Sequence, residues 1–130
     1  MTGERDPYPY ETHLDVLHGP LERVDVRAIA GAVTHPWWNQ TLCQVNDSVV
    51  RLGIVQGEYH WHVHDDLDEF FFVLDGLLLV DIDDAGVRTV ELLPQQGVVV
   101  PKGVRHRTRA PQRTVMLMVE GEDIVPTGDG

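Results

Sequence analysis

The chain has 130 residues, 42% of them hydrophobic, which is enough for one domain built around a single core. Its formal net charge of −11 argues against a nucleic-acid partner, because phosphate binding requires a basic face. The single cysteine, Cys43, cannot form an intrachain disulfide, and no apolar stretch is long enough to cross a bilayer. Since no basic segment leads into an apolar run near the N-terminus, we expect a cytoplasmic protein without a signal peptide.

Residues 1–36 are predicted to form an N-terminal arm with a short helix, which is a candidate part of a dimer contact. The first 18 residues are polar and rich in turn formers, which predicts a loose arm. Asp25 can cap a helix over residues 26–30, with Gly31 near its C-terminal end.

Residues 37–128 have the pattern of a β domain. Trp37 and Trp38 begin this region and are predicted to cover a barrel edge or a subunit contact, since exposed paired tryptophans are costly. Asp75-Gly76 favours a type I′ turn, which predicts a hairpin between the strands on either side. Many short strands at regular spacing predict an antiparallel sandwich or barrel. The expected strands are 49–55, a histidine-bearing strand after it, 69–74, 77–82, 87–93, 98–100, 104–108 and 114–119.

Three histidines at alternate positions are the most informative feature of the chain. In an extended strand His60, His62 and His64 project to the same face. Glu69 follows five residues after the last of them. Imidazoles that converge with a carboxylate are typical ligands of a divalent transition metal, so the segment predicts a metal site on a β scaffold.

Two motifs in this region resemble those of the cupin superfamily, in particular its small single-domain members. His62, His64, Glu69 and Gly76 match the first motif, His-x-His, four residues, Glu, six residues, Gly. The segment from Pro101 to His106 matches the second, Pro-x-Gly-x-x-His.

The resemblance implies a small jelly-roll barrel that holds one divalent metal, with Fe, Zn, Ni and Mn as the candidates. It also implies a homodimer in which N-terminal segments reach across the interface. The ligands that it implies are His62, His64, Glu69 and His106.

The second motif departs from the usual pattern at two positions. Gln95 stands where the motif usually begins with glycine, and nearby Gly97 is the alternative residue for the turn. Ala110 stands where the motif usually ends with asparagine, a mostly structural residue, so this loss does not affect the predicted metal binding.

His60 is additional to the motifs, and two roles are open to it. It can form a hydrogen bond at the barrel mouth or line the wall, or it can serve as the catalytic general base or substrate hydrogen-bond donor, since imidazole titrates near neutral pH. Direct ligation of the metal by His60 is the least favoured role.

Several other side chains are candidates for the pocket wall. Phe71, Met116 and Met118 either pack in the core or line the pocket. If Arg51 points inward, it requires an anion or a carboxylate partner. The basic residues between Lys102 and Arg113 are expected to be balanced by acidic neighbours, the alternative being a basic rim for an anionic substrate.

Two classes of function fit these residues. The first is a metal-dependent enzyme that acts on a small organic molecule by isomerase or cyclase proton-transfer chemistry, or by Fe-dependent dioxygenation. The second is a non-catalytic module that binds a sugar or an acidic metabolite.

Overall fold

The structure is a computed structural model that describes residues 9–129. Within these residues it is all-β apart from one short helix, as predicted. The helix α1 spans Val26–Ala32. The strands are β1 (Glu11–His13), β2 (Trp37–Val45), β3 (Ser48–Glu58), β4 (Glu69–Asp75), β5 (Leu78–Asp83), β6 (Val87–Leu92), β7 (Gly97–Val100) and β8 (Arg105–Gly121).

The long strand β8 connects the two layers of the fold. Its C-terminal part pairs with β4, its N-terminal part pairs with β5, and β3 lies along much of its other side. The hydrogen-bonded order is β1-β2-β3-β8-β4-β7, and β5 and β6 extend from β8 as a second layer. The sheet is therefore an open jelly-roll barrel whose interior lies between the layers.

The predicted hairpin at Asp75-Gly76 is wrong, because β4 pairs with β7 and β8 whereas β5 pairs with β6 and β8. The turn instead carries the chain from one layer to the other. Gly76 has φ +95°, and a Cβ there would lie 2.5 Å from Thr114 Oγ1. The Leu77 backbone N–H donates to Thr114 Oγ1 at 3.0 Å, and that hydroxyl donates to the Leu77 carbonyl at 2.9 Å. These contacts to β8 replace a hairpin ladder.

Two further strand predictions need correction. The strands expected at 104–108 and 114–119 are parts of the single strand β8. The histidine-bearing segment is not a regular strand, since its ladder pairing is limited to an isolated bridge between His62 and His106. The regular pairing of β3 with β8 ends at Glu58, after a register shift next to Gly57.

The N-terminal arm is more ordered than the sequence suggests where the structure describes it. Residues 1–8 of the predicted loose arm lie outside the described residues. Tyr10 is buried, and β1 adds to the sheet by pairing in parallel with β2. The helix is confirmed: Asp25 is its N-cap and accepts a hydrogen bond from the Ala28 backbone N–H at 3.1 Å.

The two tryptophans lie on opposite faces of β2. Trp37 is inside the barrel and packs against Tyr10 and Tyr59, rather than covering an edge. Trp38 belongs to an outer apolar cluster beside α1, so the helix segment covers the outer face of the sheet.

Gln95 itself makes the turn that glycine usually makes in the second motif. Its φ is +71°, in the left-handed region, and its backbone N–H donates to the Val73 carbonyl at 2.9 Å. Gly97 has a different role, because a Cβ there would lie 2.6 Å from the Phe71 carbonyl oxygen. Gly97 therefore allows β4 and β7 to approach closely but does not carry the turn.

Candidate metal centre

The four predicted ligands meet inside the barrel. One ligand atom from each of them lies within 4.8 Å of those of the others, and all four residues are buried. Glu69 is the first residue of β4, and His106 lies near the start of β8. We refer to four residues, each of which offers an atom that could bind a metal ion, as the metal-ligand group: His62, His64, Glu69 and His106.

Backbone pairing brings the two motifs together. His62 and His106 exchange backbone hydrogen bonds, each N–H···O distance being 2.9 Å. The Gly103 N–H, in the turn of the second motif, donates to the His64 carbonyl at 2.8 Å. The histidine segment is thus held against the start of β8 without forming a full strand.

The ring nitrogens of two histidines are oriented by backbone carbonyls. His62 Nδ1 lies 2.9 Å from the carbonyl oxygen of His60, and His106 Nδ1 lies 2.9 Å from that of Val104. A protonated Nδ1 that donates to a carbonyl leaves Nε2 with a lone pair for a metal, which is the usual arrangement around ligating imidazoles.

His64 provides the observation that a metal would explain. The side chain is 3% exposed, and neither ring nitrogen has a hydrogen-bond partner among the described residues. Its Nε2 lies 3.5 Å from Glu69 Oε1, and Nε2 of His106 lies 3.3 Å from the same oxygen. Buried polar atoms are rarely left unpaired, so the donor set and its environment fit a divalent transition metal.

The electrostatics of the cluster favour the protonation states that a metal requires. Burial, reinforced by neighbouring His106, lowers the pKa of His62 to about 3, so this imidazole is neutral at physiological pH. Burial alone would raise the pKa of Glu69, but its contacts with Glu120, His106 and His64 outweigh this effect and hold the pKa well below its usual range. A neutral imidazole and an ionised carboxylate are the forms that bind metal.

His60 lies beside this group but outside it. Its ring centroid is 5.3 Å from that of His62, and the ring stacks on Tyr10 and Tyr59. Its Nε2 is 2.7 Å from the Thr127 carbonyl oxygen, and its Nδ1 is 3.3 Å from the Tyr10 hydroxyl. These contacts resemble the predicted hydrogen bond at the barrel mouth, and the catalytic role of His60 stays a prediction.

A pocket that is partly open to solvent adjoins the metal-ligand group. His62 and Glu69 form part of its wall. The predicted candidates Phe71, Met116 and Met118 also line it. The remaining lining residues are Trp37, Asn39, Arg51, Tyr59, Thr108, Glu120 and Pro126.

Arg51 points inward, an orientation that the sequence alone did not determine. It has a carboxylate neighbour, as an inward arginine requires. Its Nη1 is 3.6 Å from Glu120 Oε1, and both side chains are 1% exposed. Burial and the nearby Glu69 carboxylate raise the pKa of Glu120 well above its usual range. Sequence reasoning missed Glu120, although it continues the alternation of Met116 and Met118 on the inner face of β8.

The C-terminal segment covers one side of the histidine segment. The Tyr59 hydroxyl donates to the Pro126 carbonyl at 3.2 Å, and the Asp129 backbone N–H donates to the Val63 carbonyl at 2.8 Å. Gly128 has φ +97°, and a Cβ there would lie 2.5 Å from the Cβ of His62. The end of the described chain therefore packs directly on His62, one of the four predicted ligands.

The basic strand does not form a rim around the cavity. Arg107 and Arg109 both bind the buried carboxylate of Asp81, at 2.9 and 2.6 Å. Arg105 lies 3.7 Å from Asp83 on the same layer. The predicted balance with acidic neighbours is confirmed for Arg105, Arg107 and Arg109, whereas Arg113 donates to the Ala30 backbone carbonyl.

Comparison with known proteins agrees with this geometry. The Cupin domain family matches residues 50–120, which is more than half of the chain and includes all four residues of the metal-ligand group.

The chain belongs to the cupin superfamily.

This cupin is 46% identical over 93 residues to the uncharacterized protein YdbB of Bacillus subtilis (strain 168), with 72% of this chain and 80% of YdbB covered. Among solved structures it resembles a cupin-2 domain containing protein from Shewanella frigidimarina NCIMB 400, with a TM-score of 0.69 and 28% identity over 75% of this chain and 93% of that one. It also resembles protein NMB1881 from Neisseria meningitidis, with a TM-score of 0.65 and 26% identity over 77% and 99% of the two chains. No helix in the described part of this cupin is long and apolar enough to span a membrane.

Proposed function

We propose that this cupin is a divalent-metal-dependent enzyme that converts a small organic molecule inside the barrel. The observation that carries the proposal is the shared wall of the metal-ligand group and the cavity. His62 and Glu69 belong to both, so an ion bound by the group would lie next to a molecule bound in the cavity.

A divalent ion held by these four residues would supply a Lewis acid for a substrate oxygen. The chain's own residues prepare the surroundings. Trp37, Phe71 and Met116 exclude water from the cavity wall, which strengthens electrostatic interactions within it. Thr108 places a hydroxyl group among these apolar surfaces and can orient a bound molecule.

Two reaction classes are compatible with this arrangement. Isomerisation or cyclisation requires stabilisation of negative charge and a proton transfer, for which His60 is the predicted carrier. Iron-dependent dioxygenation requires Fe(II) and molecular oxygen. Since three imidazoles and a carboxylate accept several transition metals, the identity of the native metal separates the two classes.

The first test is elemental analysis of protein purified anaerobically without added metal. We expect about one equivalent of a transition metal per chain, since the described residues contain one such four-ligand group. Iron would direct substrate screening to oxygen consumption, whereas zinc, nickel or manganese would direct it to isomerisation or cyclisation. Absence of metal, with none taken up on titration, would refute the proposal and leave a ligand-binding barrel.

Variants of the ligand group test the site itself. His64→Ala and His106→Ala are each expected to lose the metal while the far-UV circular dichroism of the β sheet is retained. His13→Ala, which removes a histidine on the exposed edge strand β1, is the matched control and should keep the metal. One equivalent of metal retained in either ligand variant would contradict the assignment.

His60→Ala tests the proton-transfer role separately. If His60 carries the proton, this variant keeps its metal and loses turnover. Equal turnover in the variant and in the wild-type protein would limit His60 to its contacts with Tyr10 and Thr127.

We also propose that the protein is a homodimer. The support is an exposed apolar segment near the N-terminus, in which Leu14 is 59% exposed and Leu17 is 45% exposed. Sedimentation equilibrium should give twice the chain mass of 14.6 kDa. A single species at the chain mass would refute this proposal without affecting the metal site.

A further inference from the structure

Arg51 is the most unusual side chain in the cavity. It lies on β3, a central strand, and its side chain is 1% exposed. A buried arginine is rare and costly unless its charge and its N–H donors are matched. Arg51 lines the cavity together with His62 and Glu69, so it faces the space in which a substrate would bind.

The hydrogen bonds of this guanidinium are incomplete. Nη2 donates to the side-chain oxygen of Asn39. Nη1 and Glu120 Oε1 are 3.6 Å apart, too far for a hydrogen bond, and Nε has no partner among the described residues. A guanidinium carries five N–H donors, and an unmatched buried donor is the kind of group that a ligand satisfies.

The charges around the cavity also favour an anion. Arg51 contributes one positive charge, and Glu69 and Glu120 contribute at most two negative charges. With neutral histidines, a bound divalent ion leaves the buried site with a surplus of at least one positive charge. A buried surplus charge is costly, and a monoanionic ligand would neutralise it.

We propose that Arg51 binds the carboxylate of a small organic acid whose other end reaches the metal-ligand group. This inference rests on the proposed function and specifies its substrate class. The carboxylate accepts a hydrogen bond from the Nε–H, and Asn39 holds the guanidinium in position by accepting from Nη2. Trp37, Phe71 and Met116 provide apolar surface for the carbon skeleton.

Matched acid and amide pairs test the charge preference in the wild-type protein. Calorimetric titrations of zinc-loaded protein at pH 7.5 would compare lactate with lactamide and pyruvate with pyruvamide, which differ in charge but little in shape. We expect the acids to bind at least tenfold more tightly. Equal affinities, or no binding of either acid at 50 mM, would overturn the inference.

A double variant assigns the preference to Arg51. Arg51→Met combined with Glu120→Gln removes the guanidinium and its carboxyl neighbour together, so neither is left without the other in the interior. We expect this variant to keep the metal but to bind acid and amide equally, whereas the surface control Arg88→Met keeps the wild-type preference. Arg51→Lys is the second variant; it retains the charge, removes the Nε–H donor and should weaken acid binding.

The metal content of each sample separates the two proposals. A tenfold preference that persists in the double variant would show that the metal alone binds the carboxylate, and would overturn the role of Arg51. Metal present without any preference refutes the substrate class alone. Absence of metal in wild-type protein with the acid preference intact refutes the proposed enzyme and leaves Arg51 as an anion site.

Discussion

His62 makes the metal-free protein sensitive to acid in a way that can be calculated. An ordinary histidine has a pKa of about 6.5, whereas burial and then neighbouring His106 lower the pKa of His62 to about 3 in the folded chain. Between these values the unfolded chain binds a proton that the folded chain does not. The contribution of His62 to stability is therefore complete above pH 6.5 and is lost as the pH falls toward 3.

The size of the effect follows from linkage. One full proton difference changes the free energy of unfolding by about 1.4 kcal/mol per pH unit, and because the unfolded histidine is only half protonated at pH 6.5, the loss between pH 6.5 and pH 4.5 is roughly 2 kcal/mol. Domains of this size are stable by about 5–15 kcal/mol, so the loss is a large share of the total. His62→Gln has no titrating group at this position and should lose less stability over the same interval.

Urea unfolding of EDTA-treated protein, followed by tryptophan fluorescence at several pH values, measures this difference. Contributions that the two proteins share cancel when the variant is subtracted from wild type. His13→Gln, which removes an exposed histidine, is the control and should follow the wild-type curve. Parallel curves for wild type and His62→Gln between pH 6.5 and 4.5 would show that the buried neutral imidazole is not the cause.

Three further substitutions test other parts of the structure. Gly128→Ala introduces a Cβ against His62 and should weaken zinc binding about tenfold in a calorimetric titration. Gly86→Ala, with a similar positive φ but open space around it, should leave zinc affinity unchanged, and equal effects would disprove the contact. Thr114→Val removes the buried hydroxyl that binds the turn after β4 and should reduce the free energy of unfolding by about 1–3 kcal/mol; a smaller loss would show that this link is dispensable. Gln95→Gly relieves a left-handed φ and should raise the free energy of unfolding by about 1 kcal/mol, whereas a loss of stability would mean that the glutamine side chain compensates for the strain.

The metal-ligand group could be predicted because its information is local. His62, His64 and Glu69 have a fixed spacing, and the turn at Pro101 to Gly103 places His106 at the start of a strand. The same period of two that predicted a shared face for the histidines also identifies Glu120 beyond Met116 and Met118. Glu120 was missed because the last strand was predicted to end at residue 119, one residue too early.

The path of the chain from one layer to the other at Asp75-Gly76 could not be predicted in this way. Asp75-Gly76 has the composition of a hairpin turn, and its local preference is satisfied by the positive φ of Gly76. The direction in which the chain continues is decided by Thr114, a residue 38 positions later in the sequence. Tertiary contacts of this kind outweigh turn preference, and they leave no local pattern in the sequence.

Strand β8 also sets the order in which this protein can be completed during synthesis. β3, β4 and β5 each take a partner from β8, so these pairings must wait until the last quarter of the chain has left the ribosome. A nascent chain that ends at Val100 contains the first three predicted metal ligands but lacks His106, and we expect it to unfold without cooperativity. Loss of the cooperative urea transition in that truncated chain is the measurement. The strand that completes the sheet therefore also completes the ligand set, and a partly made chain cannot form the four-ligand centre.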